Sequence, residues 1–212
     1  GVLTYNHARY ITQALQTILA QSGEFRLRLI ICDDASSDDT VNIIRSIAQS
    51  PNNQIEVSLN ENQVNVGMSN NFRILIDKIK ESGCDYFTFC EGDDYYLASN
   101  RISQLLALAM ENPDKAVLWN RVCIFFQDEE RYEIFHPSLI KDNANTEDLV
   151  AENFIGNLNA SFLRSDVLDY IDNTFDDVSL FADWFFHLYC SQYGDIQLLN
   201  QPLTLYRKHQ KG

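Results

Sequence analysis

Three groups of acids are placed where they could do chemistry. Asp33 and Asp34 close the apolar run 29–32, Glu91-Gly92-Asp93-Asp94 closes the run "YFTFC", and Asp183 stands alone between Phe181 and Trp184-Phe185-Phe186. An ionised carboxylate accepts hydrogen bonds and binds hard cations, but donates nothing. Such groups suit the N–H and O–H edges of a base or ribose, or a cation shared with phosphate oxygens. The chain has no GxGxxG and no GxxxxGK[ST], so a phosphate held here is not cradled by a glycine-rich loop. The remaining way to hold a diphosphate beside carboxylates is Mg2+ or Mn2+ between the two sets of oxygens. An unpaired carboxylate among aromatic residues is costly to bury, so Asp183 either opens onto a cavity or pairs with a cation. Plainer readings stand beside these. Asp93 and Asp94 could simply solvate a turn, while Asp38 and Asp39 read as acids favoured at a helix start and Ser36 and Ser37 as N-caps.

The elements that must position these acids alternate. Strand-like runs at 1–5, 26–32, 55–60, 84–91 and 115–126 are separated by helix-period segments at 8–21, 39–50, 69–82 and 101–112. That rhythm predicts a mainly parallel sheet flanked by helices. In open sheets of this kind ligands bind beyond the carboxyl ends of the strands. Thr4-Tyr5-Asn6, Asp33-Asp34 and the 91–94 cluster would then share one edge. After residue 126 the rhythm is lost. Residues 127 to about 148 read as a polar loop, 179–194 as a very apolar helix, and 195–209 as two short strands joined at Gln201-Pro202.

The composition narrows the partners. Sixteen Lys and Arg against 30 Asp and Glu give a formal charge of −14, which argues against nucleic acid. An anionic ligand remains compatible if a divalent cation intervenes. The five cysteines are odd in number and lack CxxC spacing, as expected of buried free thiols in a reducing compartment. No segment has the length to span a membrane. The opening "GVLTYN" and closing "YRKHQKG" lead us to expect trimming at both ends.

The ordered motifs "TYNHARYITQALQTILAQ", "IICDDASSDDT", "FCEGDDYYLASNRI", "NASFLRSDVL", "ADWFFHLYC" and "LYRKH" resemble family 2 glycosyltransferases over nearly the whole chain. The resemblance implies an α/β GT-A fold, with a Rossmann-like, mainly parallel sheet and a mixed C-terminal part on the acceptor side. It implies one catalytic domain, with a nucleotide-sugar-binding half at 1–126 and an acceptor and catalytic-base half at 127–212. The implied activity is inverting transfer of a hexosyl or N-acetylhexosaminyl unit from a nucleoside diphosphate sugar, by analogy a UDP-sugar. The acceptor would be a saccharide or lipid-linked saccharide, in polysaccharide or glycoconjugate synthesis. Action in the cytoplasm, with peripheral association at the inner face of the membrane, is the matching expectation. Carried over by residue, Thr4, Tyr5, Asn6 and Asp34 would line the nucleotide pocket, with Asp34 on the base N–H. Asp93 would serve ribose and metal, and Arg207 the diphosphate. Asp94 and His209 would hold Mn2+ or Mg2+, and Asp183 would be the general base. Glu91 stands where many members have Asp, and Ala182 where many have Glu. Two rivals remain at this point: a nucleotidyltransferase, for which "TYNHARY" is a poor triphosphate loop, and an inactive cation- or sugar-binding module. His7, His136 and His187 read as structural or exposed, and Trp184 with its Phe neighbours as core.

Overall fold

A computed structural model describes residues 1–49, 55–170 and 182–209 of the 212-residue chain. In chain order the elements are β1 (Val2–Thr4), α1 (Ile11–Leu19), β2 (Leu27–Asp33), α2 (Thr40–Ala48), β3 (Ile55–Glu61), α3 (Met68–Ser82), β4 (Tyr86–Thr88), β5 (Cys90–Glu91), β6 (Tyr95–Tyr96), α4 (Arg101–Glu111), β7 (Val117–Phe126), β8 (Arg131–Ile134), β9 (Asn143–Ala144), α5 (Thr146–Ala151), β10 (Ser161–Arg164), α6 (Ala182–Cys190) and β11 (Ile196–Lys208).

Two sheets result. The first has the order β3-β2-β1-β5 and is parallel throughout. Its central strand β2 is buried on both faces from Leu29 to Asp33 because helices cover both, whereas the edge strand β3 alternates buried or half-buried residues with exposed ones. Ile11, Leu15 and Ile18 of α1 pack with Leu29, Ile31 and Ile44 on one side. Phe72, Leu75 and Ile79 of α3 meet Ile30 and Cys32 on the other. The second sheet is mixed, in the order β4-β10-β7-β11-β6, with β8 on β7 and β9 on β11. The α/β architecture with a mixed C-terminal part is the one expected.

Several details differ from the sequence reading. The run 84–91 breaks at Phe89, so that β4 joins the mixed sheet and β5 the parallel one. The stretch expected to be a loop contains β8, whose four residues are all exposed, together with β9 and α5. The two expected C-terminal strands are one strand, β11. It absorbs Pro202 through register shifts between Leu199 and Thr204, which spares the ladder a missing N–H. Ser36 and Ser37 do not cap α2, whose N-cap is Asp39. The start of the helix expected at 179–194, including Phe181, lies outside the described residues, as does residue 50 at the end of α2.

The mixed sheet matters for the site because of β11. It runs parallel to β7 and pairs with β6 at Thr204–Tyr96 and Leu205–Tyr95. That pairing sets the end of β11 beside the 91–94 cluster.

Candidate active site

The loops after β1 and β2 are tied to each other. Asp34 N–H donates to Thr4 O at 3.0 Å, Asn6 N–H to Ser36 Oγ at 2.8 Å, and Ser37 N–H to Asn6 Oδ1 at 2.8 Å. Asp33 accepts from Ser36 N–H at 2.8 Å and from the Ser36 hydroxyl. Asp38 accepts from Ala8 N–H and Thr40 N–H, both at 3.0 Å. Asn6 and Ala35 are both left-handed, at φ 56° and 60°. Asn adopts that region readily and Ala does not, so this network holds the rim in a turn that local preference opposes.

Asp34 is buried at 3% exposure. It accepts from Val66 N–H, Gly67 N–H and Asn62 Nδ2, each at 2.9 Å. Gly67 permits this at φ 85°. Three of roughly four acceptor positions on that carboxylate are therefore filled by the protein. Thr4 is buried at 3% exposure, while Tyr5 is 45% exposed at the strand end.

The second group is arranged differently. Glu91, Asp93 and Asp94 each present an oxygen within 4.8 Å of the others. Gly92 lets the chain pass between them, because a Cβ there would lie 2.5 Å from His7 Nδ1 and 2.7 Å from Thr4 Oγ1. Burial, then the charges of Asp93 and Asp183, push the Glu91 carboxyl up to about 7. Burial, then Glu91 and Asp93, hold Asp94 well above the usual carboxylate range. Two hydrogen bonds oppose this on Asp94, from Arg207 N–H at 2.7 Å and from Asn159 Nδ2. Asp93 Oδ2 lies 2.8 Å from His209 Nε2 and 3.8 Å from His7 Nε2.

Asp183 sits in the first turn of α6. The helix is docked by Phe186, whose ring meets Phe72, Phe89 and Phe87 with centroids 5.2, 5.8 and 6.2 Å away. Trp184 donates from Nε1 to Leu149 O at 2.8 Å. Phe185, expected in the core, is 45% exposed. Burial raises the Asp183 carboxyl, and its charge is felt at Glu91. Asp183 therefore lies within electrostatic range of Glu91. Tyr206 lies within range of the same charges, its phenol raised by burial and then by Glu91, Asp94, Asp93 and Asp183.

Arg207 joins the site by its backbone and by its side chain. The guanidinium donates to Asp93 O and Gln13 Oε1, both at 2.8 Å, and lies 4.8 Å from the Tyr10 ring centroid. His7, read from sequence as structural or exposed, instead abuts Asp93. Asn159 and Tyr206 had been given no role. No spacing signals them, because their partners are distant in the chain. A separate cavity of about 700 Å³ lies towards the amino end of β2 and along β4, lined by Arg28, Ile30, Tyr86 and Thr88, and is not lined by Asp34, Glu91, Asp93, Asp94 or Asp183.

The residues present fit a hard divalent cation. Three carboxylates converge with an imidazole beside them, and two of the three are raised by burial first and by one another's charge second. A cation bound by their oxygens would remove that repulsion.

A parallel α/β sheet with this acid-bearing edge and a mixed second sheet is the arrangement of GT-A glycosyltransferases. S. aureus TarS residues 1–349, solved in complex with UDP, superposes with a TM-score of 0.74 at 18% identity, covering 98% of this chain and 59% of that one. Pyrobaculum calidifontis mannosyltransferase PcManGT, solved with GDP-Man and Mn2+, superposes at 0.66 with 15% identity over 100% of this chain and 56% of that one. The chain belongs to glycosyl transferase family 2, whose model matches residues 1–170. It is 29% identical over 210 residues to the uncharacterised proteins Rv1520 of Mycobacterium tuberculosis and Mb1547 of Mycobacterium bovis, and spans 58% of their length.

Proposed function

We propose that the protein is an inverting glycosyltransferase that moves a monosaccharide from a nucleoside diphosphate sugar, a UDP-sugar first among them, to a hydroxyl of a saccharide or lipid-linked saccharide. The observation that carries this reading is the cluster of Glu91, Asp93 and Asp94 at the edge of the parallel sheet, with Asp183 of α6 near enough for its charge to be felt at Glu91. TarS with UDP or UDP-GlcNAc and PcManGT with GDP-Man support a nucleotide-sugar donor and leave uridine and guanosine to be separated by experiment.

In this reading the pinned rim receives the nucleotide. Tyr5 offers its exposed ring to the base, Asp34 offers its remaining acceptor position to the base N–H, and Thr4 and Asn6 hold the wall. Asp93 faces the ribose and the cation. Asp94, with His209, would hold Mg2+ or Mn2+, which would supply positive charge to the leaving diphosphate. Arg207, expected at the diphosphate, would serve it from a side chain that also ties to Asp93 O, while its backbone N–H holds Asp94. Asp183 takes the proton of the acceptor hydroxyl as that oxygen attacks the anomeric carbon. The raised affinity of its carboxylate for a proton suits that task. The new glycosidic bond forms as the bond to the diphosphate breaks, and a single displacement inverts the centre. A cytoplasmic site, with peripheral contact at the inner membrane face, suits a lipid-linked acceptor. Among the described residues no helix is long and apolar enough to cross a membrane.

The test is a panel of UDP- and GDP-sugars with saccharide acceptors, scored for both nucleoside diphosphate release and glycosylated product. We expect one donor class to yield both. Binding without product from any donor would favour an inactive sugar-binding module, and neither binding nor product would overturn the reading.

A further inference from the structure

Asn159 lies at 1% exposure in a short 3-10 turn, Leu158–Ala160, that leads into β10. Its amide makes two contacts with the acid cluster. Oδ1 accepts Glu91 N–H at 3.1 Å, and Nδ2 donates to Asp94 Oδ2. Its own carbonyl accepts from Arg101 Nη2 at 2.7 Å. Arg101 is fully buried and forms no ion pair among the described residues. It also donates to Asn120 Oδ1 at 2.8 Å and lies 4.3 Å from the Tyr96 ring centroid. A buried guanidinium with only neutral partners is costly to keep. Its geometry here fixes the turn that carries Asn159.

We propose that Asn159 is a positioning residue, braced by Arg101, that sets the Asp94 carboxylate against the Glu91 backbone in the arrangement a divalent cation requires. A side-chain amide suits this task because it donates and accepts at once and carries no charge. Lysine or arginine in its place would neutralise the cluster and compete with the cation. A carboxylate would add a fourth repelling charge, and a hydroxyl is too short to span both partners. Outer contacts of this kind orient carboxylate ligands, and their loss typically costs about 10–100-fold in metal affinity. The inference rests on the cation reading of the site given above.

The test is titration of Mn2+ alone into the wild-type chain and the Asn159→Ala and Asn159→Leu variants, with melting temperatures measured on the same preparations. We expect both variants to bind Mn2+ at least ~10-fold more weakly while remaining folded. If neither folds, Asn159→Gln keeps the amide but moves it outward by a methylene, and the same loss is expected. Unchanged Mn2+ affinity in any folded variant overturns the proposal, whatever the melting temperature does, because a purely structural asparagine would alter melting and not affinity. Should the wild type take up no Mn2+ or Mg2+, the cation reading fails by itself. The positioning claim is then decided by hydrogen exchange at the Glu91 amide. Exchange in Asn159→Ala at least ~10-fold faster than in wild type, against an unchanged global melt, upholds the positioning. Unchanged exchange overturns it.

Discussion

Asp33 and Asp34 end one strand of the parallel sheet, and Glu91, Asp93 and Asp94 cluster at the end of another, yet the protein treats the two groups in opposite ways. Around Asp33 and Asp34 the oxygens face backbone N–H groups and neutral side chains from the 36–37 and 62–67 segments. Those carboxylates build the rim. Around Glu91, Asp93 and Asp94 the oxygens face one another, with His209 and Asn159 as partial compensation. Burial raises the Glu91 and Asp94 carboxyls, and the neighbouring charges raise them further. A carboxylate given most of its donors serves first as structure, whereas one left among other carboxylates is prepared for something positive. The two groups should therefore respond to mutation in different observables.

The largest effect is expected where the cluster meets α6. Asp183→Asn should lower glycosyl transfer by at least ~10²-fold, the lower end of general-base contributions, while donor binding survives. Product and donor-binding assays on one preparation check this. Full transfer by a folded variant would remove Asp183 from the mechanism.

On the rim the effect should appear in stability. Asp34→Ala strips the acceptor from two backbone N–H groups and from Asn62, and should cost about 1–3 kcal/mol in denaturant unfolding. A variant as stable as wild type, yet unable to bind UDP, would make Asp34 a ligand group alone and erase the contrast between the two regions.

His187 sharpens the picture of α6. It is fully buried, both ring nitrogens lack a partner among the described residues, and burial lowers its pKa from 6.5 to about 3. Below pH 6.5 the unfolded chain takes a proton that the native helix refuses until about pH 3, so stability falls on acidification through that window. His187→Leu should abolish this contribution, a relative gain of about 2 kcal/mol between pH 6.5 and pH 5. Parallel pH dependence in the two proteins would show that the imidazole is not buried neutral.

The smallest of these effects belongs to the cluster itself. Asp94→Asn should weaken Mn2+-dependent UDP binding by ~10-fold or more, about 1.4 kcal/mol, without unfolding the chain. If instead it lowers stability as Asp34→Ala does and leaves binding intact, the two regions have been assigned the wrong way round.

Much of this fold could be read in the sequence. The strand and helix alternation through residue 126 stood out because the central strand β2 is covered on both faces, leaving a continuous apolar run, while β3 alternates. The strands β8, β9 and β10 did not, because they are two to four residues long and β8 buries nothing. Pro202 suggested a break because proline interrupts a ladder, and a local bulge absorbed it. The acids at the strand ends were legible since each follows an apolar run. Their inequality was not, since the donors that satisfy Asp34 come from 62–67 and the amide on Asp94 comes from residue 159. Those are tertiary facts with no local spacing.

A chain of formal charge −14 with three clustered carboxylates should repel a diphosphate unless a cation joins them. The most direct measurement is the affinity of the wild-type protein for UDP, titrated once with Mn2+ and once with a chelator. The account expects binding at least ~10-fold tighter with Mn2+. Equal affinity under both conditions would contradict it.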